Sequence, residues 1–234
     1  MKLAIVLITC EREDYTRKTC ELFAQHNGWC ANAPFDVRMY HIDDASTSDE
    51  NMELARQFGY ETLHQHFVRR GNTVTRVRAI EMAAEACEPT HIMLLENDWE
   101  CLRPMPWEAI QFAMEHPKHD IYHLRLWHHF KYRTSDEAWD GVSEPPFRGH
   151  KGRRNALEGW VPLEGAPEPL DIGDGHWGAP PSITRTKEMR WLHRDATSEQ
   201  KSRVRSGLIQ ARCARVKKNV FYHIGDERTP GFIK

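Results

Sequence analysis

The chain has 234 residues, 40% apolar and 28% charged, with a formal net charge of −2; that balance describes an ordinary globular protein and excludes disordered and fibrous classes. No apolar run approaches the roughly 20 residues of a membrane-spanning helix, and Leu3 to Ile8 is too short for the core of an export signal, so the expected place is the cytoplasm. The near-neutral charge does not by itself predict a polyanionic partner, and six cysteines without CxxC spacing read as reduced thiols rather than as disulfides or a zinc site.

Lys2 to Ile8 is rich in Ile, Val and Leu and reads as a central strand buried on both faces. After the loop Thr9-Cys10-Glu11-Arg12, Asp14 is placed to cap a helix running to about His26, which Asn27-Gly28 ends. Phe35 to Ile42 is a second strand, closing on the acidic run Asp43-Asp44-Ala45-Ser46-Thr47-Ser48-Asp49. A helix from Asp49 to about Phe58 stops at Gly59, and Tyr60 to Phe67 is a third strand. Arg69-Arg70-Gly71 is a turn, after which Asn72 is placed to cap a helix carrying Val74, Val77, Ile80, Ala84 and Cys87 at helical spacing. Pro89 stops it, and His91 to Leu95 forms a fourth strand ending abruptly in Glu96-Asn97-Asp98-Trp99-Glu100. Strand and helix thus alternate with short connections, which right-handed crossovers turn into a mainly parallel sheet with helices on both faces and its acidic loops on one edge.

Pro104 and Pro106 open a helix to about Glu115, and Asp120 to Trp127 is a further strand. From Thr134 to Gly178 the many Gly, Pro and Trp residues predict long loops that form a lid or acceptor surface. Ser182 to Arg185 is a short strand and Lys187 to His193 a helical turn. Thr197 or Ser198 then caps a long basic helix to about Lys217, and Val220 to Ile224 is the last strand. Between Arg185 and Lys218 there are eleven Lys/Arg against three acids, Glu188, Asp195 and Glu199; Arg148, Lys151, Arg153 and Arg154 add a second basic cluster. These fit either a solvated face or an anionic acceptor. The histidine pairs His64/His66 and His128/His129 read as surface or hydrogen-bonded core residues. No repeat or low-complexity tract breaks the chain, so a single domain over 1–234 is expected, in two halves of 1–127 and 128–234.

Two acidic loops at strand carboxyl ends, one after the second strand and one after the fourth, specify a ligand site better than either alone, because open α/β sheets bind ligands there. At these residues the chain resembles a glycosyltransferase of the GT-A fold, in particular the inverting family-two enzymes. The opening pattern of strand, Thr-x-x-Arg, helix, strand and Asp-Asp-x-Ser matches Thr9, Arg12, Asp43, Asp44 and Ser46, with Asp49 one residue later than the pattern's closing acid. The family's turn before the third helix resembles Arg70-Gly71-Asn72, with Arg76 or Arg78 in the region that approaches phosphates. Its Asp-x-Asp metal motif falls on Glu96-Asn97-Asp98.

The resemblance implies a donor site for a nucleoside diphosphate sugar, a UDP-sugar in first place, formed by Thr9, Arg12, Asp43, Asp44, Ser46, Arg70, Gly71, Arg76 and Asn97. It also implies an Mn²⁺ or Mg²⁺ ion on Asp98 and on His223, the histidine after the last core strand. Glu replaces the first acid of the metal motif, which leaves Glu96 as a sugar or water-mediated contact. Gly173 to Ser182 resembles the loop that touches donor and acceptor and includes Trp177, while Arg228 in the tail is a phosphate contact. The base that deprotonates the acceptor falls on Glu199, with Asp195 and Asp174 as rivals. Modified DNA, as in phage-type DNA glycosyltransferases, is one acceptor the basic clusters suit. A nucleotidyltransferase and a catalytically silent nucleotide-sugar-binding module are the alternatives, although the first strand lacks the Gly-rich loop that nucleotidyltransferases usually carry after it.

Overall fold

A computed structural model of the chain describes residues 1–127, 160–173, 181–194, 209 and 211–224. Its centre is β1 (Lys2–Thr9), whose residues from Leu3 to Ile8 are at most 5% exposed. Successive side chains of a strand point to opposite faces, and β1 supplies both halves of the core. Leu3, Ile5 and Leu7 pack with Cys20 and Phe23 of α1 (Glu13–Asn27) and with Ala109, Ile110 and Ala113 of α4 (Trp107–Met114). Ala4, Val6 and Ile8 pack with Ala79, Ile80 and Ala83 of α3 (Asn72–Cys87) and Met189 of α5 (Thr186–His193). The sheet therefore carries helices on both faces, as the uninterrupted apolar run predicts.

Parallel pairing joins β1 to β2 (Asp36–Asp43) on one side and to β4 (His91–Glu96) on the other, and β3 (Glu61–Gln65) extends the β2 side. The helix α2 (Glu50–Gln57) connects β2 to β3. Beyond β4 lie the antiparallel β9 (Ser182–Arg185), then β6 (Ile121–Arg125), β10 (Arg212–Val216), β8 (Leu170–Gly173) and β7 (Val161–Pro162). Among the described residues the order is β3-β2-β1-β4-β9-β6-β10-β8-β7. A separate two-stranded sheet pairs β5 (Trp99–Cys101) with β11 (Phe221–His223). No helix of the described residues is long and apolar enough to cross a membrane.

Four expectations are corrected. Residues 212–216 of the expected basic helix form strand β10, whose Arg215 is 3% exposed. Arg215 donates to Asp171 of β8 at 3.1 Å and lies 4.5 Å over the Trp160 ring, partners invisible to any local pattern. Within the stretch read as long loops, β7 and β8 are instead strands at the sheet edge. Helix α1 is preceded by Arg12 in a left-handed conformation, and Asp14 lies inside its first turn. Helix α3 starts after Gly71, not after Asn72; at φ 81° and ψ 153° the capping position has a backbone that favours glycine.

Candidate functional site

Because β1, β2 and β4 run parallel and in register, their carboxyl ends are level, with Thr9 opposite Asp43 and Ile8 opposite Glu96. The acids that close β2 and β4 thus share one edge. They do not, however, share one environment.

Asp43 is 0% exposed. Its carboxylate accepts from Thr9 Oγ1 at 2.6 Å, from Ser46 Oγ at 2.6 Å and from the Ser46 N–H at 2.7 Å. His41 lies 2.8 Å from Thr9 Oγ1 and 3.2 Å from Thr62 Oγ1, and burial lowers its pKa to about 4. The ring is neutral at physiological pH. Ser46 Oγ also accepts from the Glu11 N–H and from Asn51 Nδ2, both at 2.8 Å, while the Glu11 carboxylate accepts from the Thr47 N–H and hydroxyl at 3.1 Å. The β1 and β2 loops are sewn into one unit this way. Glu11, Arg12 and Ala45 all have positive φ, 52°, 56° and 60°, a conformation that costs non-glycine residues of order 1 kcal/mol each and persists only where the surroundings fix it.

Asp44, 3% exposed, accepts from the backbone N–H of Arg70 at 2.8 Å and of Gly71 at 2.9 Å. It ties the turn before α3 to the end of β2. Arg76, on α3, reaches Glu96 through Nε at 2.8 Å and Nη2 at 2.5 Å. Two groups expected at the donor are therefore paired with each other, and the pairing explains how Glu at this position is accommodated. Asn97 turns its side chain to α1, donating to the Glu11 carbonyl and to Thr16 Oγ1 at 3.0 Å. Arg70 itself is exposed, beside Phe67 and Val68, which are 97% and 63% exposed.

Asp98 differs from all of these. It sits in the tight connection between β4 and β5, and its carbonyl accepts from the Ile224 N–H at 2.9 Å. That bond and the pairing of His223 with Trp99 carry the far end of the chain to the acidic edge. His223 Nε2 lies 3.2 Å from Asp98 Oδ2, and Arg12 Nη1 lies 3.7 Å from the same oxygen. The other oxygen, Oδ1, is buried with no hydrogen-bond partner among the described residues. A buried carboxylate oxygen without a donor is costly to maintain, and a cation answers it. Asp98 Oδ2 and His223 Nε2, 3.2 Å apart, are spaced as two neighbouring ligands of one divalent ion would be. No group of three or more His, Cys, Asp or Glu that could hold a metal ion gathers among the described residues.

Lys18 of α1 forms an ion pair with Glu100, so that acid too has its partner. Lys18, Glu11 and Asn51 are parts of the edge that the sequence reading does not single out; all three act on groups distant in sequence, and no local spacing marks them. Asp174, Trp177, Asp195, Glu199 and Arg228 lie outside the described residues, as do His128/His129 and the cluster from Arg148 to Arg154.

The chain matches no family model and no curated protein. It is similar in structure to S. aureus TarS. Against TarS 1–349 the TM-score is 0.57 at 15% identity, covering 95% of this chain and 60% of that one. The complex of TarS 1–349 with UDP-GlcNAc gives 0.57 at 12% identity over 95% and 58% of the two chains. The complex with UDP gives 0.55 at 15% identity over 95% and 60%. The fold is GT-A. This chain spans about 60% of those TarS chains, and at such identity the likeness speaks for the fold alone.

Proposed function

We propose that this chain is a metal-dependent glycosyltransferase of the cytoplasm, a single GT-A domain that moves a sugar from a nucleoside diphosphate sugar to an acceptor hydroxyl with inversion. The observation that carries the reading is Asp98, a carboxylate with one buried oxygen that has no partner among the described residues, beside His223 on the ligand-binding edge of the sheet. TarS, which shares the fold, has been solved with UDP and with UDP-GlcNAc, and this favours a UDP-sugar as donor.

Asp98 and His223 would hold Mn²⁺ or Mg²⁺, which when bound neutralises the diphosphate and supports its departure as a Lewis acid. The sewn loops around Thr9, Asp43 and Ser46 form a rigid floor for the nucleoside, and Asp44 orients the Arg70-Gly71 turn toward it. Arg12 and Arg70 are the exposed cations available to phosphate oxygens, while Arg76 sets the position of Glu96 from behind. Asn97 fixes α1 against the floor.

In the transfer itself a carboxylate accepts the proton of the acceptor hydroxyl. The acceptor oxygen forms a bond to the anomeric carbon as the bond from that carbon to the diphosphate oxygen breaks, and the nucleoside diphosphate leaves with the electron pair. The family resemblance assigns the base to Glu199, with Asp195 and Asp174 as rivals, and adds Trp177 and Arg228 to the donor contacts. Modified DNA is one acceptor option, resting on the cluster from Arg148 to Arg154 now that residues 212–216 of the expected basic helix form strand β10, and a steep loss of binding with salt is its signature.

The test is a thermal-shift and donor-hydrolysis screen of UDP, UDP-GlcNAc and other nucleotide sugars with Mn²⁺. At least one should raise the melting temperature of the wild type but not of Asp98→Ala. The reading fails if no nucleotide sugar shifts the wild type.

A further inference from the structure

Arg12 combines a fixed backbone with a loosely held charge. Its φ and ψ are both 56°, and its carbonyl accepts the N–H groups of Tyr15 at 2.9 Å and Thr16 at 3.1 Å. The side chain is 53% exposed, lies 5.6 Å from the Tyr15 ring centre, and brings Nη1 to 3.7 Å from Asp98 Oδ2. That separation makes an ion pair without a hydrogen bond. The guanidinium thus stands against the carboxylate that a divalent cation would need, on the oxygen that His223 also touches. A guanidinium and a divalent cation beside one carboxylate repel each other. A half-exposed side chain on a fixed backbone can leave.

We infer that Arg12 is the standing counter-ion of Asp98, which competes with a divalent cation there and re-pairs with the diphosphate when the nucleotide arrives. The inference rests on the reading of Asp98 and His223 as the cation site and adds its regulation. Arg12 makes cation binding weak in the nucleotide-free protein and couples it positively to the nucleotide, since a diphosphate offers the guanidinium a bidentate anionic partner in place of Asp98. The enzyme then collects metal and donor together.

The experiment measures Mn²⁺ binding to the full chain by electron paramagnetic resonance without nucleotide, then titrates UDP at saturating Mn²⁺. Arg12→Asn suits the left-handed backbone, and Arg12→Gln is a second neutral variant. Both should bind Mn²⁺ roughly two- to fivefold more tightly than wild type, the scale of one half-exposed ion pair. Both should bind UDP about tenfold more weakly. Arg12→Lys, which keeps the charge, should hold Mn²⁺ near the wild-type affinity. Mn²⁺ affinity that is unchanged or weaker in the neutral variants overturns the inference alone, provided Asp98→Asn abolishes the wild-type Mn²⁺ signal. If wild type binds no Mn²⁺ that Asp98→Asn removes, the cation-site reading fails and this inference with it.

Discussion

Asp43 and Asp98 lie on one edge of one sheet, yet the protein treats them in opposite ways. Asp43 is fully covered, with three donors of its own chain on its carboxylate. Asp98 has one oxygen facing an arginine and a histidine and the other without a donor among the described residues. The difference teaches that an acid at a strand end announces a ligand only when its hydrogen-bonding capacity is left open. A saturated acid at the same edge is architecture.

The largest effect separates the two acids by function. Asp98→Asn should lower transferase turnover by roughly a hundredfold or more while leaving the melting temperature equal or slightly raised, since it removes the charge of a carboxylate whose Oδ1 has no partner among the described residues. Parallel rate and melting assays check this, and a melting temperature that collapses with the rate would erase the distinction. Asp43→Ala should do the reverse. It strands the Thr9 and Ser46 donors, costs about 3 to 5 kcal/mol, and lowers the melting temperature by about 10 °C; a loss of activity without loss of stability would make Asp43 a ligand group after all.

Acid should act on the architectural side. His41 is depressed to about 4, His91 to about 4 and His123 to about 3, in each case chiefly by burial. The unfolded chain takes up protons on these rings below about pH 6.5, whereas the folded protein resists until about 4. Stability from these groups is therefore complete above pH 6.5 and falls as pH drops toward 4. His41 alone contributes on the order of 3 kcal/mol, readable in denaturant midpoints at pH 7 and 4.5; equal midpoints would contradict the buried neutral ring. The smallest effect concerns the turn that Asp44 holds. Gly71→Ala meets open space but must adopt φ 81°, and should cost about 1 to 3 kcal/mol through backbone strain alone. A neutral substitution there would show that the turn can relax and that Asp44 does not pin it.

Much of the first half of the fold is legible because its information is local. The apolar runs of β1 and β4 name central strands, the helical spacing of α3 is plain, and Pro89 and Gly59 mark ends. The two misplaced caps show where local rules fail: Arg12 and Gly71 hold their positions by loop contacts from elsewhere, against the ordinary preferences that favour Asp14 and Asn72. Strand β10 is illegible for a related reason, since Arg215 is buried only by virtue of Asp171, 44 residues away in sequence, and a charged run without that partner reads as a solvated helix. In the site, the acids of both strand ends follow from the ordered motifs, while the nearness of His223 to Asp98 is anticipated only through the family resemblance. The internal partners of Asp43, Asp44, Glu96 and Asn97 do not, because saturation is a property of three-dimensional neighbours. Strand β5 is three residues long, too short to register as a pattern, yet its pairing with β11 is what delivers His223.

In the proposed function, Asp98 and His223 together hold a divalent cation against a nucleoside diphosphate. A crystal soaked with Mn²⁺ and UDP, measured for anomalous scattering, tests it most directly. The expected result is a manganese peak bonded to Asp98 and His223 Nε2 and to the diphosphate oxygens, with Arg12 withdrawn from Asp98. Bound UDP with no manganese at Asp98, or with the metal carried by other residues, would contradict it.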